Sequence, residues 1–491
     1  VSIDATTQAG AATARRSPAA ESRRARLDGA PDPLRILALA CGATFIAFLD
    51  VTVVNLAFTD LQRAFPAVSL ANLSWVIIAY AVLFAALMTP GGRLADAIGR
   101  RRLFLVGVAT FTLASATCAA ASNIVLLITA RAVQGGAAAA MIPASLSLVL
   151  AATPRERMAH AVGLWSASAA LAAAAGPTLG GVLVDLFGWR AVFLINVPTG
   201  AVILLAGARN LRQVREPGGR LPDAVGTAAL TAGIAAVVIG VTKASDWGWM
   251  TVTTLTAVGG GLVSVCFALL RSKSHPSPAL DIDLWRIRAF GTANVTSLLF
   301  GAALYAWLLN MVVFLNSVWA YSPLKAAFAV TPGAISAAAA SVLTGRLTSL
   351  RARRVAVFAG SMLLTAVGLM LYIALGTEAH FVSVWLPAAV VSGAGMGMTL
   401  TAVSSIAATA VDPRRFASAI GLNITGRQLG GALGIAALTT IVQSELGQGA
   451  RPFRDVFLFC AVLGLASALS SIRLTTPAPP GRHRAPTARH R

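Results

Sequence analysis

Gly92-Arg-Leu-Ala-Asp-Ala-Ile-Gly-Arg-Arg-Arg102 joins two stretches, 72–91 and 103–121, that carry no charged residue. Each is about 20 residues long, the length a helix needs to cross the hydrocarbon core of a bilayer. The segment between them is dense in charge: Arg93, Arg100, Arg101 and Arg102 surround one acid, Asp96. Gly92 and Gly99 permit a tight reversal with little side-chain bulk. Two apolar helices joined by a short basic turn are the unit from which the rest of the chain is built.

The composition agrees with that unit. Of 491 residues, 57% are hydrophobic and only 12% charged, with a mean hydropathy of +0.76. A water-facing globule commonly carries about a quarter of its residues as charges. A bilayer removes that need, because its solvent is apolar and each backbone polar group is satisfied within a helix. Fourteen spans are expected, at about 36–58, 72–91, 103–121, 124–149, 160–184, 191–207, 223–243, 251–271, 290–316, 325–345, 355–375, 382–409, 417–442 and 455–472. The seventh and eighth carry the weakest pattern and flank a polar turn at 243–249.

The net charge of +21 raises nucleic acid as a partner, but the basic residues form no face of a soluble domain. They fall in short runs between apolar stretches. With the N-terminal tail inside and the spans alternating, inside segments hold roughly five times as many Lys and Arg as outside ones. The expected chain is a multi-pass protein of the bacterial inner (plasma) membrane with both termini cytoplasmic, in contact with lipid and not with nucleic acid. Residues 1–33 and 474–491 read as basic cytoplasmic tails. The run 36–58 is too long for a signal-peptide core and reads as a retained first helix. Cys41, Cys118, Cys266 and Cys460 each fall in an apolar run with no metal-ligand spacing, and the five histidines are scattered. Neither a metal nor a cofactor is expected.

A second turn, Gly345-Arg-Leu-Thr-Ser-Leu-Arg-Ala-Arg-Arg354, resembles the first. The repeat divides the chain into an N-terminal six-helix bundle over 34–208, linkers with two inserted helices over 209–289, and a C-terminal bundle over 290–473. Paired halves around a central site are a recurrent transporter plan.

Three constellations lie in or beside the spans. At the basic turn, Asp96 either holds one state of a moving bundle by pairing, or forms an ordinary surface ion pair worth under about 1 kcal/mol. In the fourth span, Arg131 costs roughly 2.5–3.5 kcal/mol on insertion scales, so it needs a polar cavity and a partner. Gln134, Gly135 and Gly136 follow it within one turn. In the fifth, Gly176-Pro-Thr-Leu-Gly-Gly181 combines a helix-bending proline with small residues that let another helix approach. It reads either as a hinge or as static packing. Of the 18 acids, Asp50 alone sits well inside a span, where an unpaired carboxylate is neutralised by a proton or a partner. Arg131 lies at a similar depth and is the natural partner.

Together these residues resemble the major facilitator superfamily, and within it the fourteen-helix drug:proton antiporters. Gly92–Arg102 is similar to the family's loop between helices 2 and 3, and Arg131-Ala-Val-Gln-Gly135 to its helix 4 motif. Gly176–Gly181 is similar to the antiporter motif of helix 5. Leu49-Asp-Val-Thr-Val-Val-Asn55 and Trp189-Arg-Ala-Val-Phe-Leu-Ile-Asn-Val-Pro198 resemble motifs of helices 1 and 6. Ala97, Ala167 and Phe58 depart from the family pattern at an arginine, a glycine and a proline.

The resemblance implies an all-α major facilitator fold with 14 transmembrane helices, two six-helix bundles plus two inserted helices. It implies export of a drug or antibiotic against protons by alternating access. Asp50 and Arg131 would couple the proton. Gly92, Asp96, Gly99 and Arg100 would form the conformational gate, and Gly176, Pro177, Gly180 and Gly181 the antiporter hinge. Few polar side chains remain to line a cavity; Asn55, Trp75, Tyr80, Gln134, Asn310 and Arg427 are the candidate substrate contacts, favouring an amphipathic small molecule.

Proton-coupled uptake on the same fold, a membrane-embedded enzyme and a non-transporting sensor are the competing readings. An enzyme needs paired acids or a metal set near the interface. The one close pair, Asp281 and Asp283, lies in a basic loop and reads as solvated. No P-loop for ATP is present.

Overall fold

The computed structural model describes residues 32–211, 221–444 and 449–474. Apart from their innermost residues, the two basic tails lie outside these ranges. Fourteen long helices follow one another among the described residues. They are α1 (Pro33–Leu56), α2 (Trp75–Ile98), α3 (Arg100–Ala119), α4 (Ile124–Ala152), α5 (Met158–Phe187), α6 (Asn196–Asn210) and α7 (Ala224–Trp247). Then come α8 (Val252–Ser274), α9 (Arg288–Ser317), α10 (Pro323–Gly345), α11 (Leu350–Ala374), α12 (Leu386–Thr409), α13 (Phe416–Ser444) and α14 (Arg451–Ile472). No strand occurs among the described residues.

Local chemistry fixes where these helices start. Asp32, Asn123, Asp223, Thr251, Ser322 and Ser349 each cap a helix by accepting a backbone N–H with the side chain. Between α2 and α3 the reversal occupies one residue, Gly99, at φ 103°, a conformation a side chain would strain. Twelve helices among the described residues are long and apolar enough to cross a membrane; the others, α5 and α13, are 30 and 29 residues long. The turn expected at 243–249 is shorter than its polarity implied. Helix α7 runs on to Trp247, because Lys243 satisfies its charge locally on Asp246 (2.9 Å) and Ser74 (3.2 Å).

The apolar cores show how the helices group. One core draws on α1, α3, α4, α5 and the segment just before α6, with Leu49, Val53, Cys118, Leu127, Trp189 and Phe193. A second draws on α9–α14, with Phe300, Trp307, Phe314, Trp385 and Phe457. These two are separate, and both lie toward the ends of the helices away from the arginine-rich turns. At the basic end a single core spans both bundles, joining Met88, Met141 and Leu146 to Phe290, Ile406, Phe416 and Ile420. The bundles are thus sealed together at the basic end and have distinct cores at the far end. The inserted pair, α7 and α8, lies across the seam on α2 and α13 through Leu230, Ile234, Val238 and Ala268. Arg271 on α8 ties its base to Asp223 (3.0 Å), and this hydrogen bond holds the Asp223 carboxyl below the ordinary carboxylate range.

Candidate functional site

Asp50 and Arg131, from α1 and α4, meet inside the N-terminal bundle. Arg131 Nη1 donates to Asp50 Oδ2 at 2.5 Å, and each residue is 1% exposed. A buried pair of this kind persists only if the remaining polar atoms also find partners. They do so through neutral side chains of three helices. Gln134 Nε2, one turn along α4, donates to Asp50 Oδ1 (3.0 Å) and to Ser115 Oγ on α3 (2.6 Å). Asn196 Nδ2 at the start of α6 donates to Asp50 Oδ1 (2.8 Å) and Ser115 Oγ (3.2 Å). Arg131 also donates to Gln134 Oε1 and to the Val76 carbonyl on α2. Its guanidinium stacks 4.4 Å from the Tyr80 ring centroid, and Tyr80 donates to the Ala47 carbonyl.

Chemically this is a carboxylate with three donors on its two oxygens, only one of them charged. Arg131 and Gln134 both reach Asp50 from α4, whereas the Asn196 amide reaches it from α6, so a shift of α4 relative to α1 would leave Asn196 as the remaining donor.

The second constellation closes the basic end. Asp96, at the foot of α2, accepts from Arg100 (3.3 Å) and crosses the seam to the first turn of α13. There the Ser418 N–H (2.9 Å) and hydroxyl (2.7 Å) donate to it. Arg100 donates onward to the Pro413 carbonyl and lies over the Phe416 ring. Asp96 is thus a contact between bundles, not a solvated surface charge. Glycines make the approach possible: a Cβ on Gly92 would stand 2.3 Å from the Ala417 carbonyl, and one on Gly421 2.5 Å from that of Met88. One turn further in, the Thr89 and Thr425 hydroxyls meet at 2.7 Å.

Asp281 corrects the sequence reading. Instead of being solvated it is 8% exposed, beneath the loop that follows α8. It bridges Arg93 of the N-terminal bundle (3.8 Å) and Arg415 of the C-terminal bundle (3.1 Å), and Arg93 also donates to the Pro278 carbonyl. The connection from the inserted pair therefore clasps the same seam. Asp283 is exposed and pairs locally with Arg286.

The hinge residues lie where α5 passes α1. A Cβ on Gly176 would fall 1.8 Å from Thr52 Oγ1, two residues from Asp50. Helix α5 continues unbroken through this region; Gly180 is buried, and Gly181 has only Leu324 of α10 within reach of a Cβ, at 3.8 Å. The side chains of Pro177 and Asn55 lie outside the described residues. The candidate substrate contacts scatter. Tyr80 and Gln134 belong to the Asp50 cluster. Asn310 sits in the C-terminal core, donating to the Phe453 carbonyl. Trp75 is half-buried at the far end of α2, and Arg427 is buried on α13. Ser115, Asn196 and Ser418 help complete the two constellations and were not singled out from the sequence. Asn196 stood within a recognised motif; Ser115 and Ser418 carried no signal, being neutral polar residues in helices.

Residues 40–324 and 295–491 match the family described as Major Facilitator Superfamily. The chain is 33% identical over 420 residues to the multidrug resistance protein Stp of Mycobacterium tuberculosis, covering 85% of this chain and 77% of that one. It is 32% identical over 467 residues to the cephamycin export protein CmcT of Amycolatopsis lactamdurans, covering 92% and 96%. Its fold is similar to that of the human organic anion transporter MFSD10 (TETRAN), with a TM-score of 0.67 at 13% identity over 90% of this chain and 100% of that one.

Proposed function

The chain belongs to the Major Facilitator Superfamily, and we propose that it exports small amphipathic toxic compounds or antibiotics in exchange for protons. The observation that carries this reading is the buried Asp50–Arg131 pair, the one place among the described residues where an acid and a base meet deep inside a spanning bundle. Resistance and export in the names of similar chains support the direction of transport.

In this reading the arginine-rich end is cytoplasmic and fourteen helices cross the membrane. The seam sealed by Asp96, Ser418, Gly92 and Asp281 is then the closed cytoplasmic gate, and the molecule faces outward. Protonation of Asp50 from outside releases Arg131, loosens α4 and lets the bundles rock toward the inward-facing state. Release of the proton to the cytoplasm and capture of substrate restore the pair. One proton moving down 100 mV supplies about 2.3 kcal/mol, enough for a roughly fifty-fold gradient of a neutral compound.

Growth in a panel of antibiotics, dyes and organic toxicants, with and without the chain, tests export. Protection by the parent is expected, together with accumulation of the protective compounds inside inverted membrane vesicles. Sensitisation of cells, with depletion from such vesicles, would instead mean uptake.

A further inference from the structure

Among the described residues four cations are buried within the helices, and three have partners. Arg131 has Asp50, Lys243 has Asp246, and Arg353 donates to the Leu347 and Thr348 carbonyls and the Thr409 hydroxyl. Arg427 is 5% exposed, yet no group among the described residues accepts a hydrogen bond or forms an ion pair with it. Its nitrogens are not among the partnerless polar atoms sealed from solvent, so a little accessible space borders them.

The location of that space follows from its neighbours. Arg427 lies about 16 Å along α13 from Phe416, at 1.5 Å per residue. It is one turn beyond Asn423 and Ile424, which with Leu146, Trp165 and Ser404 wall a void of about 10 Å³ between the bundles. Thr425, two residues away, hydrogen-bonds Thr89 across the closed seam. Arg427 therefore stands at the floor of the seam, just above its seal. On the other side Gly301 of α9 lets the helices touch, since a Cβ there would lie 2.2 Å from the Arg427 carbonyl. Tyr305, one turn along α9, is the titratable neighbour, its hydroxyl donating to Gln428 Oε1.

We propose that Arg427 is the specificity residue for an acidic group on the exported compound, so that the preferred substrate is an amphipathic organic monoanion such as a carboxylate. The inference rests on the export reading and deepens it. A cation held away from water without a counter-charge is most stabilised by an arriving anion. A planar guanidinium offers a carboxylate two parallel donors. The apolar side chains of the seam receive the rest of the molecule.

The test uses the full chain in lipid nanodiscs and two fluorescent probes, 1-pyrenebutyrate and its neutral methyl ester. The acid should bind at least tenfold more tightly than the ester. Arg427→Gln should lose at least tenfold in affinity for the acid while holding the ester within about twofold, which also reports that the variant is folded; Arg427→Lys should recover part of the loss. Equal affinity of the parent for acid and ester, or binding of neither, overturns the inference whatever the variants do. So does an Arg427→Gln protein that keeps the preference. Protection of cells by the parent in the toxicant panel judges the export reading separately, and that reading stands if protection persists without an acid preference.

Discussion

Replacing Gly92 by alanine should force the cytoplasmic gate open. The new Cβ would stand 2.3 Å from the Ala417 carbonyl oxygen and 3.1 Å from Ser418 Cα, both backbone atoms that cannot rotate away. Relief requires α2 and α13 to part by about 1 Å, since a carbon and an oxygen in contact sit at roughly 3.3 Å. That displacement carries the Ser418 bonds to Asp96, now 2.7 and 2.9 Å, beyond hydrogen-bond range. Each such bond to a charged group contributes about 1.5–3 kcal/mol, and two on one carboxylate do not add fully. A loss of about 2–4 kcal/mol shifts the balance between closed and open gate by roughly 30- to 1000-fold. The assay is pulsed electron spin resonance between spin labels on Arg102→Cys and Arg351→Cys, exposed positions in different bundles, after replacement of the four native cysteines. The parent should give a narrow short distance and Gly92→Ala a longer population that dominates. Gly259→Ala, whose Cβ meets nothing within 4 Å, should leave the distribution unchanged. Identical distributions for Gly92→Ala and the parent would refute the seam as the gate.

Three further outcomes follow from the same contacts. Asp281→Ala strands Arg93 and Arg415, and should shift the same label distances in the same direction by a smaller amount, about 1–3 kcal/mol, without lowering helical content by circular dichroism. Gly176→Ala should cut drug protection at least tenfold at equal expression, and Thr52→Gly in the same chain should restore part of it by removing the atoms the new methyl meets. Asp223 anchors the inserted pair through Arg271, and its depressed carboxyl gives the sign: the stabilisation is present above the unfolded carboxylate value of about 3.9 and is lost as pH falls through the lower folded value. Asp223→Ala should therefore melt below the parent at pH 7, with the difference narrowing as pH falls below about 3.9.

The helices were legible because long uncharged runs admit little else. Boundaries moved where local chemistry, not hydropathy, decided them: α1 ends at Leu56, and a short helix, Phe58–Ala64, begins beyond it. Asp50 and Arg131 were legible for a related reason, since charges inside apolar runs are costly and few, so each needs the other. Ser115 and Asn196, which hold that pair in place, were not; a neutral polar residue in a helix is cheap and common, and nothing local says what it faces. The partners of Gly92 and Asp96 lie more than 300 positions away on α13, beyond any local pattern. Asp281 was misread because its polar neighbours imply solvent, whereas in the fold it lies between Arg93 and Arg415, one from each bundle and far apart in sequence.

Proton coupling at Asp50 is tested most directly by transport in inverted vesicles under an imposed pH gradient, acid inside, with a compound against which the chain protects cells. The parent should accumulate the compound against its gradient and stop when a protonophore is added. Asp50→Asn, which keeps the shape and offers an amide to Asn196 and Gln134, should insert normally and equilibrate the compound at most, with no uphill accumulation. Accumulation by Asp50→Asn at the parent rate, still abolished by the protonophore, would place the coupling proton elsewhere and contradict the mechanism.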